Sequence, residues 1–129
     1  MITDVHFLEG LPGLTSAQDF ALTQIDDQGL LFSLRGGTDG STRLFVIQPG
    51  PYFAEYEPTI ARDALDALGL GEADEQKRAV LVIVTPGSDT STTTANLLAP
   101  VVLNTETGAA LQVILEGTPW PVRAPLVAA

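Results

Sequence analysis

A mostly β fold, a small antiparallel β-barrel-like domain with one short helix near residues 61–68, is predicted by three observations on this 129-residue chain. Short apolar runs recur between clusters of turn residues, many alternating apolar with polar positions. A single stretch has helical spacing, so the strand–helix–strand rhythm of a parallel sheet is missing. A chain that is 45% hydrophobic also needs its strand edges protected from self-pairing, which barrel closure achieves. At this length residues 1–129 read as a single domain that buries roughly two-thirds of the surface its unfolded chain exposes.

Phe20, Leu22 and Gln24 alternate with Ala21, Thr23 and Ile25 before Asp26-Asp27-Gln28-Gly29 turns the chain. Leu30, Phe32 and Leu34 share one face of the next strand, with Ser33 and Arg35 on the other. Gly36 to Ser41 is rich in glycine and predicts a loop, so residues 30–35 and 43–48 form a hairpin that Pro49 ends. Residues 52–60 read as extended, with Phe53 set against Tyr56. The helix follows: Ala64, Leu65 and Leu68 share a face, Asp63 suits the first turn and Gly69 the C′ position. So short a helix must be held by packing rather than by propensity.

Gly71 to Lys77 reads as an acidic surface loop, and Ala79–Val84, apolar on both faces, as a central strand. Gly87 to Thr94 is a hydroxyl-rich loop. From Thr94 to Leu115 the pattern gives two apolar strands joined by Thr105-Glu106-Thr107-Gly108, with Gly108 free to take positive φ. Asn96, Asn104 and Gln112 sit among aliphatics there and need partners, since an unpaired buried amide costs about 1–3 kcal/mol. Pro119, Pro121 and Pro125 make the C-terminal part an extended strap.

Sixteen acidic against six basic residues give a formal charge of −10. Phosphate contacts need Lys and Arg, so direct nucleic-acid binding is disfavoured, as is an anionic membrane surface. On charge alone the first reading is a soluble, self-repelling surface; such a protein can still engage a basic partner, with faster association at low salt. The absence of cysteine removes disulfide and thiolate chemistry. No signal-peptide pattern opens the chain and no apolar run approaches the roughly 18 residues of a membrane span, which predicts a cytoplasmic protein.

Enzyme chemistry finds little support. His6 is the lone histidine and has no companion at metal-ligand or triad spacing. The carboxylate pairs Asp26/Asp27, Glu55/Glu57 and Asp74/Glu75 each fall in a turn, an edge or a loop, where nothing signals the burial that acid–base work needs. The glycines at 36–40 lack the Gly-Lys-Ser/Thr ending of a phosphate loop. No cofactor or metal is expected, and a binding or regulatory module remains.

Several segments, in order, resemble the flagellar assembly factor FliW family. Phe7-Leu8-Glu9-Gly10-Leu11-Pro12-Gly13 is similar to the family's Phe-x-x-Gly-Leu-Pro-Gly opening, and Phe45-Val46-Ile47-Gln48-Pro49 to its apolar strand ending in proline. Tyr56-Glu57 with Leu65 to Leu70, then Ala79–Thr85, resemble its tyrosine–glutamate segment, short helix and central strand. Asn96-Leu97-x-Ala-Pro100, Asn104 and Gln112 resemble the most specific motif, and Pro121-Val122-Arg123-Ala124-Pro125-Leu126 the last strand. Leu34-Arg35-Gly36-Gly37-Thr38 departs from the family's Leu-Gln-Ser and acidic turn.

The resemblance implies a non-enzymatic protein that binds flagellin in the cytoplasm and antagonises CsrA, an RNA-binding translational repressor of flagellin. A −10 protein docked beside the RNA-contacting surface of CsrA would disfavour phosphate there. Partner energy is expected from aromatic anchors, for which Tyr52, Phe53, Tyr56 and Trp120 are the candidates, Phe53 serving equally well as core. Glu55, Glu57, Asp63 and Asp66 would form a charged rim. Asn96, Asn104 and Gln112 could touch a partner or satisfy backbone where strands bend; with Pro100 they read first as structural, because turn-adjacent asparagine commonly bonds local backbone. The free protein is expected to be a monomer. The competing expectation is a β-barrel ligand-binding or scaffold protein without flagellar partners.

Overall fold

Alternating apolar and polar positions fold into a twisted sheet that closes on itself. The computed structural model describes residues 2–9, 18–27, 30–36, 42–50, 52, 53, 56, 58–71, 77–85, 93–115 and 117–125. The elements run β1 (Ile2–Phe7), β2 (Asp19–Gln24), β3 (Leu31–Gly36), β4 (Thr42–Ile47), α1 (Arg62–Ala67), β5 (Arg78–Thr85), β6 (Thr94–Ala95), β7 (Val101–Asn104), β8 (Ala109–Gln112) and β9 (Ala124–Pro125).

The sheet order is β4-β3-β2-β1-β8-β7-β5-β6-β9, and a further pairing of β4 with β5 closes the first seven strands into a barrel. In register, Phe45 faces Val84, Val46 faces Ile83 and Ile47 faces Val82. All described pairings are antiparallel except β1 with β8, which run parallel through His6 with Ala109 and Phe7 with Ala110. β6 and β9 form a short flap outside the ring.

Strand periodicity divides the apolar residues between two cores. Val5, Phe7, Phe20, Leu22, Leu34, Val46, Leu81, Ile83, Val101, Leu103 and Ala110 fill the barrel, where the Phe7 and Phe20 rings meet edge to face at 5.4 Å. The neighbouring positions Ile47, Val82, Val84 and Val102 point outwards into a second core, covered by Tyr56, Ile60, Leu68, Leu70, Leu97, Leu115 and Ala124. β5 is therefore buried on both faces over Leu81–Val84, as expected of a central strand.

The hairpin of β3 and β4, the turn at Thr105–Gly108 and the helix agree with the sequence reading. Gly108 has φ +83°. α1 has Asp63 in its first turn and no side-chain N-cap. Its end is closed by Gly69 at φ +72°, with Leu70 N–H donating to Leu65 O at 2.8 Å and Gly69 N–H to Asp66 O at 3.1 Å. This pattern satisfies the last helical carbonyls. No helical residue is fully buried; the anchoring comes from Leu68 and Leu70 just beyond it, each 2% exposed.

Three features differ from expectation or go beyond it. The strand read through Asn96 is broken into β6 and β7, because the Asn96 carboxamide accepts the Leu98 and Ala99 N–H groups, each at 3.1 Å. That local turn takes the place of the ladder, and Pro100 has no N–H with which to resume it. β8 is also shorter than read, although the chain stays extended to Leu115. β1 was not anticipated: Val5 and Phe7 face the barrel while Asp4 and His6 face out. The glycine-rich residues 37–41, the acidic residues 72–76 and the hydroxyl-rich residues 86–92 lie outside the described residues.

Candidate partner-binding surface

The elements that cover the second core, residues 52–71 and 113–125, carry most of the candidate contact residues. Tyr52 is 41% exposed and is held by its backbone, whose N–H donates to Pro49 O at 3.0 Å. Phe53 is half-buried against the second core. Asp63 and Asp66 are exposed on α1. Glu55 and Glu57 lie outside the described residues.

Tyr56 corrects the expectation of an exposed anchor: only 7% of it is accessible. Its hydroxyl donates to Leu97 O at 2.7 Å, and its ring meets Trp120 edge to face at 4.8 Å and 87°. Burial pushes the phenol from 10.0 up to about 12, since loss of its proton would leave a charge in an apolar site. Tyr56 thus pins the 52–60 segment to Asn96–Pro100, and Trp120, half-buried, closes over it. The motif tyrosine carried no signal separating contact from core; its position two residues before Pro58 and four before the buried Ile60 could have supplied one.

The motif amides all bond backbone. Asn104, 3% exposed, donates from Nδ2 to Leu68 O at 2.8 Å and accepts at Oδ1 from Glu106 and Thr107 N–H at 3.0 and 3.3 Å. One side chain therefore shapes the β7–β8 turn and ties the end of α1 to the barrel. Gln112 donates to Ala99 O at 3.2 Å, and the Pro100 carbonyl accepts from Val113 N–H at 2.9 Å. No buried side-chain N or O among the described residues lacks a partner.

His6 Nδ1 lies 2.8 Å from Asp19 Oδ1, both well exposed, and Lys77 Nζ lies 2.8 Å from Glu106 Oε2. Arg43 sits 4.9 Å from the Phe45 ring centroid. Among the described residues no group of three or more His, Asp or Glu side chains could hold a metal ion, and no helix is long and apolar enough to cross a membrane. The surface is therefore acidic overall, with aromatic and aliphatic residues between residues 52 and 61 and between 113 and 122.

Residues 2–126 match the protein-family model for FliW protein. The chain is 33% identical over 103 residues to the flagellar assembly factor FliW of Leptospira interrogans, covering 80% of this chain and 68% of that one. It is 31% identical over 120 residues to the flagellar assembly factor FliW of Geobacillus thermodenitrificans, covering 92% and 81%. A crystal structure of the flagellar assembly factor FliW superposes with a TM-score of 0.86 at 29% identity, over 98% of this chain and 86% of the other. With the closed barrel and the family model both spanning nearly its whole described length, the chain belongs to the FliW family.

Proposed function

We propose that this protein is a flagellar assembly factor that acts in the cytoplasm by docking onto other proteins, binding flagellin and antagonising the translational repressor CsrA. The observation that carries the reading is the family match over residues 2–126. Relatives identical to it at about a third of the aligned positions are named flagellar assembly factors. The surface chemistry is consistent: a charge of −10 suits association with the basic face of an RNA-binding protein. Placed beside RNA phosphates, the same charge works against their retention.

The electrostatic part has a direct test. RNA release from CsrA by this protein, measured by competition at rising ionic strength, should weaken as charges beyond about 10 Å become screened near 0.1 M salt. Release that ignores salt would remove the electrostatic component. Failure to bind either CsrA or flagellin would favour a barrel scaffold without flagellar partners.

A further inference from the structure

Among the described residues, one strand edge of the barrel ends without a neighbour. Beyond β8, Val113 and Leu115 donate their N–H groups to Pro100 O and Leu98 O at 2.9 and 2.8 Å. Alternation along an extended chain turns the N–H and C=O of Ile114 the opposite way, and among the described residues neither has a hydrogen-bond partner. β1 occupies this same edge further back, where Leu8 N–H donates to Ala110 O at 3.0 Å, the last bond on that edge among the described residues. The Ile114 side chain is 58% exposed. Proteins usually blunt such an edge with Lys, Pro or a bulge, yet Gln112-Val113-Ile114-Leu115 carries no charge and no proline.

An open groove of about 480 Å³ adjoins this edge, and among the described residues its lining (Thr59, Ala61, Val113, Ile114, Leu115, Thr118 and Trp120) carries no charged side chain. Ala61 directly precedes α1, which presents Asp63 and Asp66 to solvent. An unpaired strand edge beside a groove lined by aliphatic, aromatic and threonine side chains is the arrangement that accepts an added strand: backbone bonds supply affinity, and alternate side chains enter the groove.

We infer that Gln112–Leu115 is a strand-addition site for an extended segment of another protein, apolar at alternate positions and flanked by Lys or Arg. Charge selects this occupant. A second copy would bring a further −10, a nucleic acid would bring phosphates, and a basic segment is attracted. The inference rests on the docking reading above only in requiring a protein partner.

Ile114→Pro removes an N–H that makes no bond among the described residues, whereas Ile114→Val keeps it. A phage-displayed random-peptide library is panned on the folded chain, and the enriched peptides are synthesised. They should alternate apolar residues and carry Lys or Arg at their ends. They should bind wild type and Ile114→Val alike and Ile114→Pro about tenfold more weakly, the loss of one backbone hydrogen bond. Amide exchange at Ile114 should slow on binding in wild type, and the melting temperature of Ile114→Pro should confirm that it is folded. No enrichment, peptides that are acidic or helically patterned, or equal binding to folded Ile114→Pro would overturn the proposal. So would a dimer in sedimentation equilibrium that Ile114→Pro abolishes, because the occupant would then be a second copy. The panning uses neither flagellin nor CsrA, so its failure and the failure of the flagellar reading are separate results.

Discussion

Replacing Asn104 by aspartate changes one amide nitrogen to oxygen and little else in shape, yet it should remove the tie between α1 and the barrel. Oδ1 would still accept from Glu106 and Thr107 N–H. The donor to Leu68 O, now at 2.8 Å, would be replaced by a carboxylate oxygen facing a carbonyl. Leaving a buried carbonyl unpaired costs about 1–3 kcal/mol, and apposing two acceptors adds to it, so about 2–4 kcal/mol should be lost at pH 7. That is a large share of the roughly 5–15 kcal/mol that holds a domain together.

The loss should depend on pH with a definite sign. Burial beside a carbonyl raises the introduced carboxyl's folded-state pKa above its unfolded value of about 3.9. Once protonated it becomes a donor again and can bond Leu68 O. The variant therefore recovers stability relative to wild type as pH falls through the raised pKa, and loses it as pH rises from about 3.9 through that value. Asn104→Ala has no titrating group and should show a deficit that does not follow this curve. Urea unfolding followed through Trp120, the sole tryptophan, measures both. If Asn104→Asp lies within about 0.5 kcal/mol of wild type at pH 7, the range of ordinary surface changes, or if its deficit ignores pH, the proposed tether is wrong.

Four further outcomes rest on local geometry. A Cβ on Gly108 would stand 2.5 Å from Asp4 O, with φ at +83°, so Gly108→Ala should cost about 3 kcal/mol or more and disturb the parallel β1–β8 pairing. Gly117, at φ +74° with nothing within 4 Å of an added Cβ, should lose only about 1–2 kcal/mol on replacement by alanine; equal losses at the two sites in denaturant titrations would contradict the steric difference. Tyr56→Phe should cost about 1–2 kcal/mol by leaving Leu97 O without its 2.7 Å donor. Wild type should also lose stability as pH rises from 10.0 through about 12, since the unfolded chain releases the phenolic proton first; this component should be absent from Tyr56→Phe, and identical alkaline profiles would argue against a buried phenol.

The barrel strands were legible where one face is apolar and the turn chemistry is explicit. Leu34 with Val46 and the Gly108 turn are examples, because period-two alternation and positive φ are local properties. β5 was legible for a different reason: four consecutive aliphatics cannot all be buried unless both faces are covered. What covers the outer face was not legible. Tyr56 looks like any surface aromatic until Leu97 O and Trp120 are brought to it from 41 and 64 residues away, and no periodicity encodes that approach. Asn96 breaks a run that reads as one strand, because its side chain competes for Leu98 and Ala99 N–H with a strength that spacing alone does not reveal. The exposure of Ile114 was hidden too, since apolar Val113-Ile114-Leu115 reads as buried strand and no spacing shows that the pairing seen at Leu8 N–H to Ala110 O goes no further among the described residues.

The most direct measurement is calorimetric titration of the purified protein with flagellin and with CsrA from its own organism, in low and in near-physiological salt. Saturable binding to both is predicted, with the CsrA complex weakening as salt rises. Absence of heat and of co-elution with either protein, from a sample whose melting curve shows it folded, would contradict the proposal that this acidic barrel works by docking onto flagellar proteins.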